Sequence, residues 1–220
     1  MKTKGHTYKT RKAIGFPEDF RSWRESPAKF GRHSLKIAGH PVMQDWEEDY
    51  MRVLAEIAGS KAGRVLEVGF GMGISASFLQ QYDIEEHIII EANEDVYERL
   101  RSFAGKAKRK VTPILGFWQD AVQEIPDGSI SSILFDTYPM SAAEVHRNHF
   151  PFFPEAYRLL QKGGVLTYYS DEEQDFSGEH RKALQKAGFE DIQKLVCRVN
   201  PPADCEYWQS NTIVAPIIFK

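Results

Sequence analysis

A glycine-rich turn between a short apolar strand and a helix restricts the fold of this chain more than any other feature. The predicted strand is Arg64–Val68, and it runs into Glu67-Val68-Gly69-Phe70-Gly71-Met72-Gly73 before a helix begins. Glycines at this place permit a tight turn and let the backbone approach a ligand closely. Several kinds of nucleotide-binding protein use such turns, so the motif predicts an α/β fold before it predicts a particular ligand.

The rest of the chain alternates between predicted strands and helices. Further strands are predicted at His87–Glu91, Val111–Gly116, Ser131–Phe135, Val165–Tyr169, Ile192–Val199 and Thr212–Phe219. Helices are predicted at Met43–Ala58, 73–82, Asp95–Phe103, Asp120–Glu124, Pro154–Leu160 (stopped by Lys162-Gly163-Gly164) and Glu179–Ala187 (stopped by Gly188). This order predicts a doubly wound, seven-stranded, mostly parallel, Rossmann-like sheet with an antiparallel edge. Residues 1–40 show little periodicity, so we expect an N-terminal arm there and one domain over residues 41–220.

Composition and charge exclude several classes of function. The chain has 220 residues and a net charge of -3, which offers no basic field for nucleic acid. Its apolar runs are too short to span a membrane, and its basic N-terminus leads into no apolar run, so we expect no secretory signal and a cytoplasmic location. Cys197 and Cys205 make no disulfide framework or zinc site, and His146 and His149 lack acids at ligand spacing, so no metal is expected. The oligomeric state stays open.

Two details of the glycine turn favour S-adenosylmethionine over a dinucleotide. The spacing is E-x-G-x-G-x-G instead of G-x-G-x-x-G, and an acidic residue, Glu91, ends the second strand. A carboxylate at that place can accept both ribose hydroxyls through charge-assisted hydrogen bonds. A nicotinamide oxidoreductase remains an alternative on the analogy of the fold alone.

Two further carboxylates indicate a cationic second ligand. Asp136 follows the fourth strand in Phe135-Asp136-Thr137-Tyr138-Pro139, at the same edge of the sheet, unless it merely forms a turn. Glu47 lies among Met and aromatic residues on a predicted helix face, with no Lys or Arg three or four positions away. It either meets a cationic ligand or lies in water at the edge of that face. Two carboxylates suit a guanidinium, which pairs bidentately, and one of them can act as general base.

Several motifs together resemble guanidinoacetate N-methyltransferase, a family of class I S-adenosylmethionine-dependent methyltransferases. The likeness runs from about residue 33 to 170 and over 196–208. The motifs are Pro41-Val42-Met43, Trp46-Glu47, Tyr50-Met51, Arg64–Met72, Ile90–Asn93, Gly116–Trp118, Phe135–Pro139, Arg158–Tyr168 and Pro201–Cys205. The resemblance implies N-methylation of a small guanidino compound, with Asp136 and Glu47 as catalytic and substrate-binding residues and Tyr138 and Tyr169 beside the substrate. It further implies that the following residues bind S-adenosylmethionine: Trp23, Met43, Met51, Gly69, Phe70, Gly71, Met72, Gly73, Ile74, Ser75, Glu91, Ala92, Asn93, Trp118 and Gln119.

One segment departs from the family. Members bind the substrate carboxylate with backbone amides just after the Leu-Thr-Tyr strand, where this chain has the acidic run Tyr169–Ser177. An acidic loop is a poor site for a carboxylate, so arginine or agmatine would suit it better than guanidinoacetate. The chain also resembles, more distantly, fungal enzymes that methylate arginine residues. The alternatives are a methyltransferase of an amine or indole compound and a non-catalytic S-adenosylmethionine-binding protein.

Overall fold

The computed structural model describes residues 16–17 and 19–220. Most of the basic N-terminal segment, on which the prediction about a secretory signal depends, lies outside the described residues. So do the first fifteen residues of the predicted arm.

Ten strands and seven α-helices follow one another in the described chain. They are α1 (Phe20–Glu25), β1 (Ala28–Phe30), β2 (Ser34–Ile37), β3 (His40–Gln44), α2 (Glu48–Gly59), β4 (Arg64–Val68), α3 (Ile74–Leu79), β5 (Glu86–Glu91), α4 (Glu94–Ala104), β6 (Lys110–Leu115), α5 (Trp118–Ala121), β7 (Ile130–Phe135), α6 (Phe153–Leu159), β8 (Leu160–Tyr168), α7 (Gly178–Ala187), β9 (Asp191–Arg198) and β10 (Thr212–Phe219). Short 3-10 turns lie at Asp45–Glu47, Val122–Glu124 and Phe150–Phe152.

Seven of these strands form the central sheet in the order β6-β5-β4-β7-β8-β10-β9. Strands β4 to β8 pair in parallel, while β10 runs antiparallel to both β8 and β9. The predicted doubly wound sheet with an antiparallel edge is therefore confirmed. Strands β5 and β6 lie on one side of β4, and β7 lies on its other side. The order of the strands therefore reverses between β4 and β7, and ligands of such sheets bind at the carboxyl ends of the strands at this switch point.

Apolar side chains cover both faces of this sheet. On β4, Val65 belongs to the core cluster that contains α2 and α3, whereas Leu66 and Val68 belong to the cluster that contains α6. Every residue of β5 and β7 is buried, as expected for parallel strands between two helical layers. Among the described helices, none is long and apolar enough to cross a membrane.

Two predicted boundaries were wrong. The helix predicted from Met43 begins only at Glu48, because Met43 pairs with Leu35 in the β2–β3 hairpin. The predicted glycine stop after the helix at 154–160 is absent, since β8 begins directly at Leu160 and includes the glycine pair, with Gly163 at φ +78. In both places a tertiary strand pairing prevailed over the local pattern.

The described part of the first 40 residues is more regular than its sequence suggested. It contains α1 and, with β3, a three-stranded antiparallel sheet in the order β1-β2-β3. Asp19 caps the N-terminus of helix α1, since its side chain accepts a hydrogen bond from the backbone N–H of Arg21 at 3.0 Å. This small sheet places Leu35, Ile37 and Met43 beside the switch point of the large sheet, and helix α1 places Trp23 there.

Candidate active site

A cavity of about 250 Å³ opens at the carboxyl ends of β4, β5 and β7. Val68 and Gly69, Ile90 and Glu91, and Phe135 and Asp136 contribute to its walls where these three strands end. The loop after β8 and the small N-terminal sheet close the remaining sides. The cavity therefore lies at the place that the doubly wound topology predicts.

The glycine turn brings the backbone of β4 against that of β7. Gly69 has φ +93, and a Cβ atom at this position would lie 1.9 Å from the carbonyl oxygen of Asp136. The Gly69 N–H donates to the carbonyl of Ile90 at 2.8 Å, and the Asp136 N–H donates to the carbonyl of Val68 at 2.9 Å. Only glycine fits here, because both the backbone angle and the space exclude a side chain.

Glu91 faces the cavity at the end of β5 and is 7% exposed. Its two oxygens accept hydrogen bonds from the backbone N–H groups of Phe70, at 2.9 Å, and Asn93, at 2.8 Å. Burial raises the pKa of this carboxyl, and the backbone hydrogen bonds oppose that shift. Each carboxylate oxygen can accept a second bond, so Glu91 can still accept the ribose hydroxyls of S-adenosylmethionine. The described residues therefore fit this cofactor.

The predicted cofactor residues divide into those on the cavity wall and those behind it. The residues on the wall are Trp23, Met43, Gly69, Gly71, Glu91, Ala92, Trp118 and Gln119. The residues behind it are Met51, Phe70, Met72, Gly73, Ile74, Ser75 and Asn93. Met51 is fully buried on α2, and Ser75 donates to the buried carboxylate of Glu67 beneath the turn. Direct contacts of either group with a cofactor stay predictions.

Asn93 attaches the N-terminal helix to the domain. Its side-chain N–H₂ donates to the carbonyls of Trp23, at 2.9 Å, and Ser26, at 2.8 Å, while its side-chain oxygen accepts from Val96 N–H at 3.2 Å. The Trp23 ring, 5% exposed, stacks on Tyr138 with ring centroids 5.0 Å apart. Trp23 thus lies on one wall of the cavity, and Asn93 fixes its backbone. The expectation from the resemblance, that this N-terminal aromatic of the arm covers the cofactor, stays a prediction.

Glu47 lies in the 3-10 turn before α2 and is only 2% exposed, so the alternative that it lies in water is wrong. One carboxylate oxygen accepts from the Gln44 N–H at 2.8 Å and from the Tyr207 hydroxyl. Burial, followed by the charge of Asp136, raises the pKa of Glu47 to about 8. A buried carboxylate held in this way binds a cation more readily than a neutral ligand.

Asp136 lies opposite the glycine turn on the wall of the same cavity. Burial, followed by the charges of Asp171 and Glu67, raises its pKa to about 7. Glu47 and Asp136 are thus brought into one cavity and interact electrostatically, together with the predicted Tyr138 and Tyr169. A carboxyl group with a pKa near neutrality is suited to accept a proton during a reaction.

Sequence reasoning missed several residues of this cavity, of which Tyr207 and Asp171 act on the carboxylates of Glu47 and Asp136. Tyr207 donates its hydroxyl proton to Glu47, and its ring packs 5.9 Å from that of Trp46. Asp171 lies on the wall after β8, within the acidic run that the sequence singled out as a whole. The available sequence signal for Tyr207 was its position close to the motif Pro201–Cys205. Its contact with Glu47 has no local signature, because 160 residues separate the two along the chain.

Comparison with known proteins agrees with the site. The family model for guanidinoacetate N-methyltransferase matches residues 16–220. Similar curated proteins include protein arginine N-methyltransferase 2 of Yarrowia lipolytica, 31% identical over 59% of this chain and 28% of that protein, and of Aspergillus oryzae, 35% identical over 59% and 31%. The chain thus spans less than a third of the length of these relatives.

Solved structures share the fold at low identity. Spermidine synthase from Thermotoga maritima superposes with a TM-score of 0.60 at 14% identity and covers 88% of this chain and 72% of its own. M. jannaschii TYW2 in complex with AdoMet gives a TM-score of 0.57 at 16% identity, with coverage of 89% and 85%.

The fold is the Rossmann-like sheet of class I S-adenosylmethionine-dependent methyltransferases. The chain belongs to the guanidinoacetate N-methyltransferase family, because the match to that family spans residues 16–220.

The two raised carboxyl pKa values make the ligand-free protein sensitive to pH. Glu47 and Asp136 have pKa values of about 8 and 7, above the roughly 4 expected in an unfolded chain. At pH values between roughly 4 and these raised pKa values, the folded protein binds more protons than the unfolded chain. The free energy of unfolding therefore falls as the pH rises through this interval. His149 acts oppositely below about pH 6.5, since burial lowers its pKa to about 3.

We therefore expect the free energy of unfolding to fall by about 1 kcal/mol or more between pH 6.5 and 8.5. The double variant Glu47→Gln, Asp136→Asn is expected to remove this slope. Urea unfolding of both proteins at pH 6.5, 7.5 and 8.5 measures it. Equal slopes in the two proteins would contradict the assignment of these pKa values.

Proposed function

We propose that this chain transfers the methyl group of S-adenosylmethionine to a guanidino nitrogen of a small molecule. The observation that supports this most is the pairing of two buried carboxylates, Glu47 and Asp136, in one cavity with Glu91 and the glycine turn. Among the described residues that line this cavity, none is Lys, Arg or His. A planar cation satisfies two such carboxylates through bidentate hydrogen bonds.

The chemistry requires that the guanidino nitrogen lose a proton. A guanidinium nitrogen carries no available lone pair, because its electrons are delocalised and its pKa is roughly 13 in arginine. Glu47 holds one edge of the guanidinium and keeps its orientation fixed through the hydroxyl of Tyr207 and the backbone of Gln44. Asp136 accepts the proton as the nitrogen rotates out of conjugation and presents its lone pair.

S-adenosylmethionine supplies an electrophilic methyl group on a positively charged sulfur. The walls formed by Trp23, Tyr138 and Tyr169 exclude water from the reacting atoms. Exclusion of water strengthens the electrostatic contacts of both carboxylates, and positioning contributes the rest of the acceleration.

The names of the curated relatives support the same group as acceptor, because those proteins are named for the methylation of protein arginine. We favour a free small molecule over a protein, since the described walls of the cavity include Trp23 and Tyr138, which cover it.

A cytoplasmic location remains a prediction, and the two free thiols, Cys197 and Cys205, fit a reducing compartment.

A panel of acceptors tests the proposal. The protein is incubated with S-adenosylmethionine and guanidinoacetate, arginine, agmatine, an arginine peptide, indole or simple amines, while S-adenosylhomocysteine and product mass are followed. We expect a mass gain of one methyl group on a free guanidine, which Glu47→Gln and Asp136→Asn abolish. Methylation of indole or a simple amine alone would favour the other acceptor class. Cofactor binding without any turnover would favour a non-catalytic protein.

A further inference from the structure

The acceptor side of the cavity holds a third carboxylate, Asp171, beside Glu47 and Asp136. We propose that the acceptor is a guanidine whose tail carries a cationic amine in place of a carboxylate, and that Asp171 selects it. This inference rests on the proposed methylation of a guanidino group and names the class of guanidine.

The backbone holds Asp171 in an uncommon conformation. Its φ angle of +55 lies in the left-handed region, which few residues other than glycine adopt. The neighbouring Ser170 hydroxyl donates to the carbonyl of Val214 at 2.7 Å and accepts from the Glu172 N–H at 3.2 Å. The Val214 N–H in turn donates to the carbonyl of Glu172 at 2.8 Å. The residues on both sides of Asp171 are therefore hydrogen-bonded to Val214 of β10. These contacts fix the loop so that Asp171 lies on the cavity wall.

Three acidic groups face one another at this end of the cavity. Burial is the largest cause of the raised pKa values of Asp136 and Glu47, and the charge of Asp171 adds to both shifts. Nδ1 of His146 lies 3.3 Å from Oδ1 of Asp171, and His146 does not line the cavity, so it contacts Asp171 from behind the wall. A guanidinium between Glu47 and Asp136 brings a single positive charge. A second positive charge on the same ligand lowers the remaining repulsion at Asp171.

A tail carboxylate finds no comparable partner. The lining residues in the described part of the chain include five acidic side chains and none that is basic. Two backbone amides beside Asp171 are also engaged: the Tyr169 N–H donates to the carbonyl of Phe135 at 3.0 Å, and the Glu172 N–H donates to the Ser170 hydroxyl at 3.2 Å. A negatively charged tail would therefore lie against Asp171 without compensation.

Three guanidines of matched length test this selectivity. Agmatine carries a tail amine, butylguanidine a neutral tail and guanidinobutanoate a tail carboxylate. We expect kcat/KM to fall in that order, with agmatine at least about tenfold above guanidinobutanoate. Asp171→Asn is expected to lower kcat/KM for agmatine about tenfold, mainly through KM, and to leave guanidinobutanoate unchanged or improved.

The matched control is Asp175→Asn, which removes the same charge from the same loop. Asp175 pairs with Arg181 at 2.6 Å and with Lys194 at 3.0 Å and does not line the cavity. We expect this variant to keep the wild-type preference among the three compounds. A general effect of charge or loop stability would instead appear in both variants.

The outcomes separate this inference from the function on which it rests. Guanidinobutanoate methylated as well as agmatine, or an equal loss for all three compounds in Asp171→Asn, would overturn the inference alone. An arginine peptide methylated faster than agmatine would overturn both the inference and the proposal of a small-molecule acceptor, and would leave the guanidino group as the methylated group. Failure to methylate any guanidine, with cofactor binding intact, would overturn the proposed function as well.

Discussion

Replacing Asp136 with Asn is expected to lower kcat about 10³-fold while S-adenosylmethionine binds within a few-fold of its wild-type affinity. General-base catalysis typically contributes about 10²- to 10⁴-fold, and the guanidinium has no lone pair until its proton is accepted. Asn keeps the shape of the side chain and loses only the charge and the basic oxygen. The rate of S-adenosylhomocysteine release at saturating acceptor measures the effect, and calorimetry measures cofactor binding.

The pH dependence provides a second measurement on the same variant. The pKa of Asp136 in the ligand-free protein is raised to about 7, so kcat/KM of the wild type is expected to rise with pH through this region. The residual activity of Asp136→Asn should lose the rise near pH 7 and keep only the rise that comes from Glu47, whose pKa is about 8. Asp83→Asn is the control, because the side chain of this aspartate is 92% exposed and pairs with Arg109 at the surface. An Asp136→Asn protein within tenfold of wild-type kcat would contradict the role as base.

Replacing Gly69 with Ala is expected to destabilise the protein by about 3 kcal/mol or more and to abolish cofactor binding. The added Cβ would lie 1.9 Å from the carbonyl oxygen of Asp136. Neither backbone can move away easily, because Gly69 is hydrogen-bonded to β5 and Asp136 to β4. The left-handed backbone angle adds a further penalty of roughly 1–2 kcal/mol. Urea unfolding and calorimetry with S-adenosylhomocysteine measure the two effects.

Gly128→Ala separates the clash from the backbone penalty. Gly128 has φ +62, and a Cβ atom there would meet nothing within 4 Å. We expect this variant to lose only about 1–2 kcal/mol and to keep its cofactor affinity. A Gly69→Ala protein that is as stable as Gly128→Ala and binds the cofactor normally would contradict the close approach of the two strands.

The contact between Gly69 and Asp136 also explains how the fold joins two functions. Gly69 belongs to the turn that the cofactor is expected to meet, and Asp136 carries the proposed base. Because β4 and β7 are neighbours at the switch point, their carboxyl ends place these residues in direct contact. The topology of the sheet therefore positions the base without a dedicated structural element.

The sequence predicts the large sheet well because its signals are local. Each parallel strand is a short apolar run bounded by glycine or polar residues, and the glycine turn marks the first of them. The prediction of where α2 starts was wrong because the deciding contact is not local. Met43, Trp46 and Tyr50 have helical spacing, but Met43 pairs with Leu35, and this contact has no local signature.

The candidate site could be predicted only in part. Glu47, Glu91 and Asp136 were found because each is an acid in an unusual local context. Tyr207 and Asp171 were missed because their role depends on contacts across the fold, such as the hydroxyl of Tyr207 on Glu47. Met51 lies deep in α2 behind the wall. Helical periodicity does not separate a core position from a cavity position, so the sequence alone could not show this.

A crystal structure with S-adenosylhomocysteine and the best guanidine acceptor of the panel tests the central claim most directly. We predict that guanidino nitrogens lie about 2.7–3.0 Å from carboxylate oxygens of both Glu47 and Asp136. A guanidino group bound elsewhere, or one that contacts neither carboxylate, would contradict the assignment of this cavity as a guanidine methylation site.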